Sequence, residues 1–217
     1  GRPFGNPLAL KSSAMKPSEI STIIAKEVPP LCHPLGEDNK LVIAPGLLSG
    51  SAAAMSGRIS VGCKSPLTGG IKEANAGGMA SQMLGRLGIA AIRLEAKPKD
   101  GTLYKLSISK NKVEIKPDNS LKMLGNYAVA EKMKAAHGDK VSCISIGQAG
   151  EMKLTGASIA FTDMEFRPTR HAGRGGVGAV MGSKGVKVIV VDDTGCSVRR
   201  PKDPVKFKEA NKTWVAG

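Results

Sequence analysis

The spacing of apolar residues along the chain predicts many short strands and a few helices. Ile20, Ile23 and Ile24 share one face of a helix that would begin near Ser18 and stop before Pro29. Short apolar or alternating runs elsewhere predict strands. The predicted strands cover residues 41–44, 59–63, 89–94, 103–108, 112–115, 141–146, 155–161 and 186–191, and the last of these is the most hydrophobic.

Three further helices are predicted from apolar spacing and from their end residues. They cover 79–87, 127–136 and a last segment that opens at Asp203-Pro204, a cap followed by proline. We expect Gly88 to end the first helix, and Asn126 and Gly138 to cap and end the second. In the third helix, one face carries Phe207, Ala210 and Trp214.

The remaining segments complete a prediction of fold class. We expect residues 1–16 to be irregular, 45–56 to form a loop, 65–70 to form a turn and 110–111 to join two strands of a hairpin. Strands outnumber helices and do not alternate strictly with them. The pattern therefore favours an α+β fold over a doubly wound parallel sheet.

Composition narrows the kind of partner. The 217 residues are enough for one domain with a substantial core, and they carry a net charge of +14. An excess of positive charge favours an anionic partner. The 27 glycines exceed the usual share of about 7% and predict places where backbone turns sharply or approaches something closely. Aromatic residues make up only 3%, which argues against a platform that stacks single-stranded bases.

The cysteines and histidines form no recognisable metal or redox motif. No pair of cysteines has Cys-x-x-Cys spacing, and the three histidines fit no zinc pattern. We interpret the cysteines as buried or free thiols in a reducing cytoplasm. No apolar run approaches the ~18 residues of a membrane span, so a membrane partner is not expected. The residues concerned are Cys32, Cys63, Cys143, Cys196, His33, His137 and His171.

A glycine-rich segment between Arg170 and Lys184 is the strongest candidate for chemistry. Five glycines fall within ten residues, and Arg170 and Arg174 flank the first of them. We expect these glycines to expose main-chain N–H groups to an anion rather than to pack a core, with a helix starting at Val177. The two arginines would add bidentate donors suited to phosphate. A glycine-rich surface turn beside two solvated arginines is the alternative.

A second glycine cluster lies upstream. Arg58 comes first, then the 65–70 turn, then Asn75 and Gly77-Gly78 before the predicted 79–87 helix. Two loops of this kind in one small basic chain are more informative than either alone. They predict a shared site for a negatively charged ligand.

Two other functions remain as alternatives. Gly173-x-Gly175-x-x-Gly178 matches the dinucleotide-binding fingerprint, with Asp192 following at about the expected distance. Residues 163–170 are polar and contain proline, however, so we predict no strand directly before these glycines. A nucleic-acid-binding module is suggested by the net charge and by the basic run 197–202, but no helix-turn-helix, zinc-finger or RNP pattern supports it.

Several motifs together resemble a known family. They are Val28-Pro29-Pro30, Asp38-Asn39-Lys40-Leu41, Ser65-Pro66-Leu67-Thr68-Gly69, Asn75-x-Gly77-Gly78, the run from Ile144 to Glu151 and the run from Ala172 to Lys184. In this order they resemble the N-terminal domain of the tungsten-containing aldehyde ferredoxin oxidoreductase family, over about residues 26–192. The resemblance implies a two-sheet domain that forms the base for a bis-pyranopterin cofactor of tungsten or molybdenum, with magnesium bridging the pterin phosphates.

The resemblance also implies roles for particular residues. The backbone carbonyls of Asn75 and of His171, where the family usually has alanine, would reach the magnesium ion. The residues implied to contact the cofactor are Arg58, Asn75, Gly77, Arg170, His171, Ala172, Gly173 and Arg174. No catalytic residue is assigned.

The family's activity is the oxidation of aldehydes to carboxylic acids with ferredoxin as acceptor. Its iron–sulfur cysteines lie in downstream domains, which these 217 residues do not include. We therefore expect no independent catalysis, and we expect downstream domains or a partner subunit to carry the iron–sulfur cluster. The expected organisation is a divergent segment at 1–25, the pterin-binding domain at 26–195, and a basic linker with the start of a helix at 196–217.

Overall fold

The structure is a computed structural model and describes residues 8–11, 17–98 and 100–216. Eleven strands lie within these residues: β1 Leu8–Lys11, β2 Leu41–Pro45, β3 Ile59–Lys64, β4 Ile71–Ala76, β5 Ala91–Leu94, β6 Tyr104–Ile108, β7 Val113–Pro117, β8 Ser142–Ser145, β9 Ile159–Phe161, β10 Arg170–Ala172 and β11 Val186–Val191. The helices are α1 Pro17–Glu27, α2 Ala80–Arg86, α3 Asn126–His137, α4 Gln148–Glu151, α5 Val177–Ser183 and α6 Pro204–Ala216, with a 3-10 turn at Asn119–Leu121.

The strands form two sheets, which confirms the predicted α+β fold. The first has the order β1-β5-β2-β3-β4 and is antiparallel throughout. The second has the order β10-β9-β8-β11-β6-β7 and is antiparallel except where β11 pairs with β6. β4 and β10 are therefore edge strands of different sheets.

Both sheets contribute to one main apolar core. Ile43 and Ile59 from the first sheet share this core with Ile144 and Ile189 from the second, and α2 and α5 supply residues to it. α1 covers the other face of the first sheet, and α3 covers the other face of the second. β11 is buried on both faces, since its alternate residues belong to two different clusters.

Most of the predicted elements are present, with small shifts at their ends. The hairpin at 110–111 closes with Ser109 N–H donating to the Lys112 carbonyl at 2.8 Å. Asp203 caps α6 as predicted, accepting from the N–H groups of Val205 and Lys206 at 3.1 Å. α3 differs, because Gly125 is its N-cap and the Asn126 side chain instead accepts from Ser145 Oγ at 3.0 Å.

Among the strands and α-helices, β1, β4, α4 and β10 were not predicted. β1 lies in the segment that we expected to be irregular and pairs with β5. The hydrophobic pattern did not predict β4 or α4, because β4 is an exposed edge strand and α4 has only four residues. The predicted 155–161 strand shrinks to β9, which begins at Ile159.

Candidate anion-binding cleft

The two glycine-containing loops meet where the sheets meet. β4 and β10 are neighbours, and the N–H of Met79, just after β4, donates to the Thr162 carbonyl, just after β9, at 3.0 Å. Edge strands carry a row of backbone N–H and C=O groups that no further strand pairs. The fold thus brings backbone polar groups of both predicted loops to one place.

Arg58, Gly77 and Arg170 form the centre of this place. A Cβ on Gly77 would lie 3.8 Å from Arg170 Cδ and 4.0 Å from Arg58 Nη1, so both arginine side chains pass beside the bare backbone. All three residues line one open cleft of about 480 Å³. Among the described residues, neither guanidinium group has a hydrogen-bond or ion-pair partner. Two uncommitted cations therefore face the same space.

The other predicted residues lie on or beside β4 and β10 but do not line the cleft. The exposed Asn75 accepts from Ser60 Oγ at 3.0 Å through its side chain. The exposed His171 places its ring Nδ1 3.0 Å from Ser158 Oγ. Ala172 is buried, Gly173 faces open space, and Arg174 is exposed.

The expectation that the glycines after Arg174 do not pack a core is wrong. Gly176, Gly178 and Gly182 are buried, and a Cβ on them would overlap the backbone carbonyl oxygens of Thr155, Ser158 and Gly150 respectively. The Gly178 N–H turns inward and donates to the Ala157 carbonyl at 2.9 Å. These glycines let α5 pack against neighbouring backbone, and only Gly173 keeps the open setting predicted for the whole run.

The prediction that no strand precedes the glycines is also wrong, because β10 ends at Ala172. The presence of β10 does not support the dinucleotide-binding alternative. Its fingerprint needs a parallel strand that leads into a full helix, whereas β10 is three residues long, pairs antiparallel with β9 and is followed by the seven-residue α5.

Sequence reasoning missed one wall of the cleft. It is formed by the loop between β9 and β10, from which Asp163, Glu165 and Arg167 line the space. Burial raises the pKa of the Asp163 carboxyl, but hydrogen bonds from Arg167, Thr169 and Glu165 together hold that pKa below its ordinary value. A polar, proline-containing loop gave no signal in the sequence beyond its charged residues.

Two buried lysines were also missed. Lys184 Nζ donates to the Gly36 and Glu37 carbonyls at 3.0 and 3.1 Å, and burial lowers its pKa to about 8. Lys187 is fully buried, pairs with Glu151 and donates to the Leu124 carbonyl at 2.7 Å. Neither lysine lines the cleft.

Cys63 and Cys143 are buried, whereas Cys32 and Cys196 are partly exposed. All four cysteines are free thiols, and burial raises the pKa of Cys63 and of Cys143 to about 12. Within the described ranges, no three His, Cys, Asp or Glu side chains are grouped to hold a metal ion. The helices described here include none that is both long and apolar enough to cross a bilayer.

Sequence comparisons with known proteins indicate one family. A family model, the N-terminal domain of aldehyde ferredoxin oxidoreductase, matches residues 18–193. The tungsten-containing aldehyde ferredoxin oxidoreductase of Pyrococcus abyssi is 44% identical over 172 residues, covering 77% of this chain and 27% of that protein. The protein of the same name from Thermococcus kodakarensis is 39% identical over 191 residues, covering 87% of this chain and 30% of that protein.

A solved structure agrees with the fold. The active-site complex BamBC of benzoyl coenzyme A reductase, in complex with 1,5-dienoyl-CoA, contains a chain with a TM-score of 0.82 and 31% identity. The match covers 90% of this chain and 29% of that one. This chain therefore spans less than a third of the length of the relatives that it matches.

Proposed function

Because the chain belongs to the aldehyde ferredoxin oxidoreductase family, we propose that its cleft binds the phosphate groups of a tungsten or molybdenum bis-pyranopterin cofactor. In the full-length protein, this domain would form the base of a cytoplasmic enzyme that oxidises aldehydes to carboxylic acids. Ferredoxin would accept the electrons through an iron–sulfur cluster held outside these 217 residues.

The donors in the cleft suit the phosphate end of such a cofactor. The Arg58 and Arg170 guanidinium groups have no partner among the described residues, and a phosphate would supply one. Each charge-assisted hydrogen bond of this type contributes about 1.5–3 kcal/mol. Gly77 lies between them without a side chain, so an anion can approach its backbone closely.

The remaining predicted residues would complete the site from the two strand edges. The backbone carbonyls of Asn75 and His171 would help to hold a magnesium ion that accompanies the cofactor, since carbonyl oxygens are ligands that Mg²⁺ accepts. Ala172, Gly173 and Arg174 follow His171 and would contact the cofactor from the β10 side.

The cofactor itself would supply the redox chemistry when bound. The part played by this chain is to bind and orient it. Arg58 and Arg170 would bind the phosphates through their charge and their planar donor groups. Unpaired backbone groups at the edges of β4 and β10 would orient the pterin. These residues neither donate nor accept a proton in this scheme.

The convergence of Arg58, Gly77 and Arg170 on one cleft is the observation that carries the proposal. The test is metal and pterin analysis of the natural protein that contains this chain, purified without oxygen from its source. The proposal predicts tungsten or molybdenum together with pterin. Absence of both metals would refute the cofactor assignment.

A further inference from the structure

The loop between β9 and β10 is closed by a single carboxylate. Asp163 Oδ1 accepts the backbone N–H groups of Glu165 and Arg167, both at 2.9 Å. Its Oδ2 accepts from Thr169 Oγ1 at 2.9 Å and from Arg167 Nε at 3.3 Å. One side chain at the start of the loop thereby holds its middle and its end.

The middle of the same loop is also anchored in the core. Phe166 has a φ of +62°, a left-handed backbone conformation that is strained for a bulky residue. Its side chain is only 8% exposed and lies in the apolar cluster that contains Val188 and Met133. Such strain persists where the surrounding structure fixes the residue. The loop is therefore held both by the Asp163 carboxylate and by the packing of Phe166 in the core.

Arg170 is the first residue after this loop. It starts β10 and is paired with Phe161 of β9. Its guanidinium group has no hydrogen-bond or ion-pair partner among the described residues, so no polar contact of its own fixes the side chain, and its position follows the backbone that carries it. The position of the cation in the cleft thus depends on the path of the chain from Asp163 to Thr169.

A carboxylate that lines an anion-binding cleft would ordinarily oppose it. The Asp163 side chain is 9% exposed and faces the cleft, yet all four of its acceptor positions are occupied by the four donors of the loop. Its negative charge is thereby committed to the loop. This gives the carboxylate a role other than contact with a ligand.

We propose that Asp163 is a positioning residue of the cleft: its carboxylate closes the 163–169 loop and so sets where the Arg170 guanidinium lies beside Gly77. This inference rests on the proposed function of the cleft as a phosphate site. Asp163 acts through Arg170 and does not touch the bound anion.

The test is a double-mutant cycle with inorganic pyrophosphate as the probe. Affinity is measured by isothermal titration for the unaltered chain, Asp163→Ala, Arg170→Ala and the double variant, at constant salt. We expect each single variant to bind roughly tenfold more weakly, the scale of losing one charge-assisted contact. The double variant should bind no more weakly than Arg170→Ala, since coupled residues are not additive.

Glu165→Gln is the matched control. It removes one negative charge from the same loop without touching the carboxylate bonds, and it should bind pyrophosphate at least as tightly as the unaltered chain. If Asp163→Ala does not fold, Asp163→Asn takes its place in the cycle. Hydrogen exchange of the unliganded chain provides a second readout, since the amides of Glu165 and Arg167 should exchange faster in the Asp163 variant while core amides keep their rates.

The outcomes distinguish a failure of the positioning role of Asp163 from a failure of the proposed phosphate site. Losses that multiply in the double variant would overturn the inference, as would an Asp163 variant that binds like the unaltered chain. A failure of the unaltered chain to bind pyrophosphate would overturn the proposed phosphate site and the inference with it.

Discussion

Replacement of Gly178 by alanine tests the finding that this glycine serves packing and not ligand binding. The new Cβ would overlap the carbonyl oxygen of Ser158, and it would also meet the carbonyl carbon of Ala157 at 2.9 Å. Both obstacles are backbone, and β9 begins at the next residue, Ile159. Neither can move aside as a flexible side chain could.

The size of the effect follows from two opposing terms. An extra methyl group in a packed interior costs about 1–3 kcal/mol, and obstruction by backbone favours the upper end. Alanine gains about 1 kcal/mol over glycine within a helix, which leaves a net loss of about 2 kcal/mol. For a chain of this size such a loss lowers the Tm by about 4–8 °C.

Gly77→Ala is the matched control for this experiment. Nothing lies closer than 3.8 Å to its added Cβ, so the Tm should change by less than about 2 °C. The same variant should weaken pyrophosphate binding, because the methyl group occupies the approach between Arg58 and Arg170. Calorimetric scans of both variants decide the matter. If Gly178→Ala has the same Tm as the unaltered chain, α5 does not lie against Ser158 as described.

Three further predictions concern charged residues. Arg58→Ala should weaken pyrophosphate binding about 10–150-fold in isothermal titration, and equal affinities would refute its role. Burial lowers the pKa of Lys184 from 10.5 to about 8, so between these two pH values the unfolded chain binds more protons than the folded chain. Denaturant titrations should therefore show that the free energy of unfolding rises with pH over this range, relative to Lys184→Met. A difference between the two proteins that does not change with pH would contradict this. Glu151→Gln leaves the buried Lys187 charge without its partner and should cost about 3–5 kcal/mol in denaturant unfolding. An unchanged midpoint in that variant would mean that the pair is not buried.

Sequence patterns predicted the elements that carry their signal locally. The face of Ile20 and Ile24 is buried as expected. The predicted 127–136 helix, which ends at Gly138 as expected, and the 110–111 turn are present because helix-end and turn chemistry act over a few residues. The two-sheet fold came from the resemblance and is confirmed. The site roles implied by the resemblance stay predictions.

The misses arise from information that is not local. β4 and β10 lie at sheet edges, where exposed residues dilute the apolar pattern. The glycines of α5 gave the same signal as an exposed anion loop, since a close approach from Ser158 cannot be read from the glycine sequence itself. Lys187 interrupts the most apolar strand, and only the position of Glu151 on α4 explains how its charge is buried. A sequence alone does not show which distant backbone or charge completes such a position.

The most direct test of the central claim is the position of the metal. Crystals of the natural protein, measured at the tungsten and molybdenum absorption edges, would locate it by anomalous scattering. We expect a peak on the side of the domain where Arg58, Gly77 and Arg170 line the cleft, with phosphate density against the two guanidinium groups. A metal peak on another face of the domain, or a cleft without phosphate density in a metal-containing crystal, would contradict it.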